Sequence, residues 1–141
     1  MAWLNLTGAR PRNLGVQADG SLRACRPGAG NCVCSQHPRG ARDPNHVQPF
    51  RYSGNAGDAM TRLLAVLLQQ PRCRLVSTSP TYIHAEFQSA LLGFVDDAEF
   101  LLASADSLIH VRSAARLGLS DFGINRARVE QLRVAFDSID E

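Results

Sequence analysis

Between Arg72 and Ala114 apolar and polar residues alternate with a period of two, interrupted only by short turn-forming links. Alternation of this kind puts successive side chains on opposite faces of an extended chain, so the stretch is constrained to strands with one dry face. The first strand covers Arg74 to Thr78, and Pro80 ends or bends it. In the second, Ile83, Ala85 and Phe87 face one way, and Tyr82, His84, Glu86 and Gln88 the other. In the third, Phe94, Ala98, Phe100 and Leu102 share a face with Asp96, while Asp97 and Glu99 point opposite. In the fourth, Ile109 and Val111 face the core, and His110 and Arg112 face away. The links around Leu92-Gly93 and Ser104-Ala105-Asp106 are short enough to make antiparallel hairpins.

Helical periodicity flanks this meander. Met60, Leu63, Leu64 and Leu67 recur at i, i+3, i+4 and i+7; Asn55 or Asp58 caps the start, and Pro71 stops the helix. Val66 and Leu68 on its other side predict that most of this helix is buried. A last helix is expected with Asn125 as N-cap and Val129, Leu132 and Phe136 as its apolar stripe. Residues 1–54 are rich in Gly, Pro, Asn and Arg without sustained periodicity and read as a long irregular arm with at most one short strand. The expectation is one α+β domain over 1–141. Residues 1–54 form an irregular arm packing on the core, and residues 55–141 form helix, β-meander and helix, with a central antiparallel sheet.

If the strands pair as neighbours, the face opposite the core collects Tyr82, His84, Glu86, Gln88, Asp97, Glu99, His110 and Arg112. Tight hairpins would place Glu99 near His110 and Asp97 near Arg112, with Glu86 beside one of those carboxylates. Two close carboxylates repel unless a cation bridges them, and Arg112 or a protonated histidine is the candidate bridge. Three readings stand side by side. The face is a solvated surface with weak ion pairs; or a groove under the arm or a partner; or an acid-base site of His84, Glu86, Asp97, Glu99 and His110. Asp96 sits in phase with apolar neighbours. Either it is buried against Arg116, Arg126 or Arg128, or a bulge at Asp96-Asp97 turns it outward.

Composition narrows the chemistry. All 15 basic residues are arginine, which excludes Schiff-base and P-loop lysine chemistry. It fits either anion recognition by planar guanidinium groups or a GC-rich coding bias. A net charge of +2 gives no reason to expect nucleic acid, and no apolar run is long enough to span a membrane. The first residues lack a basic segment followed by an apolar core, so a cytoplasmic location is expected. Asp121-Phe122-Gly123 spells the kinase metal tripeptide without any lysine to accompany it, and His84-Ala85-Glu86 lacks the downstream cysteine pair of a zinc deaminase. Cys25, Cys32 and Cys34 are weak metal candidates because their spacing lacks the usual paired knuckle. No cofactor is expected. Arg112, Ser113, Arg116, Asp121, Asn125 and Arg126 surround a helix start, a natural anion site unless these arginines neutralise carboxylates within the fold.

Taken in order, Asn31-Cys32-Val33-Cys34-Ser35-Gln36, the Asp43 to Phe50 stretch, Tyr82 to Phe87, Phe94 to Phe100, Val111 to Arg116 and Ser120 to Arg126 resemble the family catalogued as domain of unknown function 1499. The resemblance runs from about Leu14 to Phe136; Cys34 and Ala115 stand where the family usually has serine. It implies a polar network that is either a site or a scaffold ordering the arm. In exported relatives a Cys25–Cys32 disulfide would staple that arm, whereas in a reducing cytosol the thiols are expected to stay free. The reading that follows is a non-enzymatic binding or accessory module holding an anionic ligand or partner protein on the polar sheet face and the arginine-rich turn. The alternative is a small acid-base enzyme of hydrolase or isomerase type.

Overall fold

The computed structural model describes residues 8–139. Two short arm strands, β1 (Cys32–Cys34) and β2 (Phe50–Arg51), precede helix α1 (Ala56–Leu68). The meander follows as β3 (Cys73–Thr78), β4 (Tyr82–Gln88), β5 (Val95–Ala103) and β6 (Leu108–Ala115), and helix α2 (Ile124–Ile139) closes the fold. The sheet order is β1-β6-β5-β4-β3, with β2 also on β6, and every pairing is antiparallel. This is an α+β fold with the expected central meander. The arm adds two strands rather than one, and both lie on the outer edge of β6, pairing groups that would otherwise be left open.

Phase decides what lies on each face. Ile83, Ala85, Phe87, Ala98, Phe100, Ile109 and Val111 face α1 and α2, which contribute Met60, Leu63, Leu67, Val129, Leu132 and Phe136. Phe50 from the arm is fully buried among them, its ring 5.6 Å from that of Phe136 and 6.0 Å from that of Phe100. The arm therefore supplies part of the main core. It also covers the opposite face, so the sheet is dry on both sides.

Local details correct several expectations. Asn55 is the cap of α1, its Oδ1 accepting from the Asp58 N–H at 3.0 Å. Leu68 is exposed while Val66 is buried, since Leu68 lies outside the buried stripe of Ala59, Met60, Leu63, Val66 and Leu67. Asn125 is not a cap: it is fully buried in the first turn of α2. The capping falls to Asp121, whose carboxylate accepts from the N–H groups of Gly123 and Asn125 at 2.8 and 3.1 Å. Strand β5 runs without a bulge through Asp96 and Asp97; the register shift lies in β3 between Leu75 and Ser77.

Cys25 and Cys32 form a disulfide with Cα atoms 5.7 Å apart, correcting the expectation of free thiols. The pairing of β1 with β6 sets Cys32 opposite Ala114, and there the turn carrying Cys25 packs on it. Such bonds persist where the surroundings are oxidising. Neither sulfur is available as a metal-binding thiolate. Cys34 is free and buried, and no helix among the described residues is long and apolar enough to cross a membrane.

Candidate functional site

Register places the polar residues of the arm-side face two positions away from the expected pairs. His84 lies opposite Glu99, Glu86 opposite Asp97, Glu99 opposite Arg112, and Asp97 opposite Ala114. Leu101 occupies the place opposite His110. The expected Glu99–His110 and Asp97–Arg112 neighbours are therefore replaced. The extra residues of the 3-10 turn at Ser104–Asp106 and the left-handed Ser107 move β6 along β5. His84, Glu86, Asp97, Glu99 and Arg112 do gather on one face, and all five are buried. A solvated surface is thereby excluded.

Burial of so many carboxylates requires cations, and arginine supplies them. Arg116 grips Asp97 with two hydrogen bonds, Nε to Oδ2 at 2.8 Å and Nη2 to Oδ1 at 3.0 Å, and its Nη2 also donates to Glu86. The bridging cation is thus Arg116, not Arg112 or a histidine. Glu86 further accepts from Arg10 at 2.8 and 2.9 Å and from Arg74 at 2.7 Å. Burial pushes the Glu86 carboxyl up, but hydrogen bonds from Arg74, Arg10 and Arg116 outweigh it and hold the pKa down to about 2. Burial likewise opposes ionisation of Asp97, and His84 with Arg116 overcomes it, so its pKa is lowered. The His84 Nε2 lies 2.7 Å from Asp97 Oδ1. Glu86 and Asp97 are thereby held ionised by the groups around them.

Glu99 and Arg112 differ. Glu99 Oε2 accepts from Tyr82 Oη at 2.5 Å and from the Gly15 N–H at 2.6 Å, while its buried Oε1 has no hydrogen-bond partner among the described residues. Burial and that hydrogen bond both push the Tyr82 phenol pKa up. Arg112 approaches Glu99 only to 3.9 Å, and its buried Nε has no hydrogen-bond partner among the described residues. Burial lowers its pKa, partly offset by Glu99, and nearby Arg23 lowers it further. Beside it lies a small polar pocket of about 190 Å³ lined by Arg23, Arg26, Asn31, Arg112, Arg116 and Gly118. Four arginines line this one pocket, and the side chains of two of them, Arg112 and Arg116, are about nine-tenths buried.

The remaining sequence candidates fall elsewhere. His110 sits apart from the carboxylates, its Nδ1 3.0 Å from Ser35 Oγ, and burial lowers its pKa. Ser113 faces the helices and donates to Asn125 Oδ1 at 2.6 Å. Asp96 is also on that side, resolving its two readings in favour of a buried pair: Arg128 Nη1 lies 2.8 Å from its carboxylate, with the guanidinium 4.7 Å above the Phe87 ring. Burial still raises the Asp96 pKa. Arg126 donates to the carbonyls of Pro44 and His46 at 2.5 and 2.9 Å, clamping the arm. Arg112, Ser113, Arg116, Asp121, Asn125 and Arg126 therefore do not converge on one ligand position; only Arg112 and Arg116 line the arginine pocket.

Sequence reasoning missed Arg10, Arg23, Arg26 and Arg74 as part of this face. Arg74 carries a usable signal, since a β3–β4 hairpin sets it opposite Glu86. The other three lie in aperiodic chain and reach the face only through the path of the arm. Many motif residues have scaffold contacts. Gln36 Oε1 accepts from the Leu22 N–H, Ser35 Oγ from the Val111 N–H, and Asn45 donates to the carbonyls of Ala29 and Cys32. A search of curated proteins finds no match. The profile of the family described as Protein of unknown function (DUF1499) matches residues 22–136, which takes in both arm strands, the meander and most of α2, and the chain belongs to that family.

Proposed function

We propose that the chain is a non-enzymatic binding module whose arginine pocket beneath the arm holds a small anionic ligand. The observation that carries this reading is Arg112: a buried guanidinium whose Nε has no hydrogen-bond partner among the described residues, beside a pocket that also presents Arg23, Arg26 and Arg116. A buried, under-bonded cation is costly to maintain. A carboxylate or phosphate entering the pocket would complete its hydrogen bonding in the planar, two-pronged manner that guanidinium favours. The acid-base alternative has less support, because Glu86 and Asp97 are held ionised by arginine and lie under the arm, poorly placed to exchange protons with a substrate.

Isothermal titration calorimetry at low ionic strength, with citrate and inorganic phosphate as probes, tests the reading. Saturable binding of at least one probe is expected, weakened about tenfold or more by Arg112→Gln, the loss of one charge-assisted hydrogen bond or more. Arg26→Gln, at an exposed position, weakens it without risk to folding. Absence of binding, or equal binding by wild type and both variants, overturns the proposal.

A further inference from the structure

The end of the sheet where β4 passes to β5 and β6 passes to α2 carries an unusual set of side chains. Leu91, Leu92 and Phe94 in the first loop, and Leu117, Leu119, Phe122 and Ile124 in the second, are all exposed. The loops belong to one surface: the Arg116 N–H donates to the Val95 carbonyl, and Ile124 lines a common cleft with Gln88 and Ser89. A soluble surface seldom concentrates this many large apolar side chains without a use for them. Leu91, Leu119 and Phe122 project most, at 91%, 92% and 93% exposure, so they are tips rather than the walls of a groove.

Phe122 is held there against its own preferences. Its φ of 54° lies in the left-handed region, which a bulky residue enters only at a cost. Its N–H bonds Ser120 Oγ at 3.2 Å, and the next two turns of chain are pinned by Asp121. The fold thus spends backbone strain to present an aromatic ring to solvent.

Charge identifies the occupant. Arg72 stands exposed at the start of β3 on this end, and its Nε bonds the Gln88 carbonyl; Arg26 is exposed on the arm turn that meets Gly118. Among the described residues of these loops the one carboxylate is Asp121, consumed in capping α2. Of the exposed acids, Asp58, Asp106 and Asp137 lie at the other end, at the start of α1, the β5–β6 turn and the last turns of α2, while Glu130 lies in the middle of α2 and Asp19 on the arm. Protruding apolar tips flanked by Arg72 and Arg26, with no acid in their own loops but the capping Asp121, suit a surface that is soft, apolar beneath and negatively charged above.

We infer that this end of the molecule docks peripherally on an anionic lipid bilayer, with Leu119, Phe122 and Leu91 entering the interface and Arg72 and Arg26 meeting the headgroups. The inference shares Arg26 with the arginine pocket but does not use Arg112, so the Arg112→Gln variant separates the two. Its test is co-sedimentation of the full chain with phosphatidylcholine vesicles and with vesicles of phosphatidylcholine mixed with phosphatidylglycerol, beside light scattering of the protein alone. Binding is expected only with phosphatidylglycerol, falling as salt rises. It is expected to weaken tenfold or more in the double variant Leu119→Ser, Phe122→Ser, whose positions contribute nothing to the core, and to persist in Arg112→Gln. Failure to sediment with either vesicle, or equal binding by the double variant, overturns the inference. So does a wild-type dimer abolished by the double variant, which would assign the patch to a second copy of the chain.

Discussion

The two faces of the sheet are both buried, yet by opposite chemistry. Against the helices, Phe50, Phe100, Phe136, Leu63, Leu67 and Ile83 fill space with hydrocarbon, and little about their partners is specific beyond shape. Against the arm, His84, Glu86, Asp97, Glu99 and Arg112 are buried beside Arg116, and Glu86, Asp97 and Arg116 keep their charges there through directed hydrogen bonds. The helix face can be assembled from any apolar surface of suitable volume. The arm face requires particular arginines in particular places, and so makes the path of an aperiodic segment specific. Among the described residues, the pair of Asp96 with Arg128 is a charged contact between sheet and helix on that side, and it sits at the margin where β5 begins.

The largest expected effect breaks the apolar side. Phe100→Ala should destabilise the fold by about 3–5 kcal/mol in urea unfolding, through lost contacts and a residual cavity, with little dependence on salt or acidity. Arg116→Met should cost about 3 kcal/mol on the arm side, because it strands Asp97 and removes one of the cations on Glu86. Unlike the first loss, this one should shrink as the pH falls and the stranded carboxylates take up protons. Equal pH dependence in the two variants would erase the distinction between the faces.

Reduction of the Cys25–Cys32 bond should cost about 2.5 kcal/mol by loop-closure entropy, read as a lowered denaturation midpoint in reductant. Near-infrared or fluorescence probes are unnecessary; amide hydrogen exchange should show loosening confined to the arm and β1 while α1 keeps its protection. The smallest effect separates carboxylates by sign. Glu86 is held at about 2 against an ordinary 4.5, so its stabilisation is full above the ordinary value and is lost as pH falls toward 2. Asp96, raised by burial, works the other way, since its protonation favours the folded chain. In acid titrations of stability, Glu86→Gln should therefore flatten the loss and Asp96→Asn should steepen it.

Much of the architecture was legible because alternation and helical spacing are local. The strand faces of Ile83, Ala85 and Phe87, the stripe of Val129, Leu132 and Phe136, and the Asn55 cap all follow from neighbours within a few residues. The site was less so. That His84, Glu86, Asp97, Glu99 and Arg112 share a face was readable from phase, but which of them touch was not, because the turn at Ser104–Ser107 sets the stagger. Asn125 misled as a cap because its amide is taken by Ser113 on β6 and by Asp121, which itself caps the helix from four residues upstream.

What the chain dictates unaided is the meander, its flanking helices, the exclusion of lysine chemistry and the segregation of polar from apolar side chains, since each depends on residue identity and short-range spacing. Tertiary structure alone decided that Arg116 rather than Arg112 bridges the acids and that Arg10 and Arg23 reach the sheet. These contacts join segments far apart in sequence or carried by aperiodic chain. No local pattern encodes where such a segment will lie until the charges it must neutralise have been folded into place.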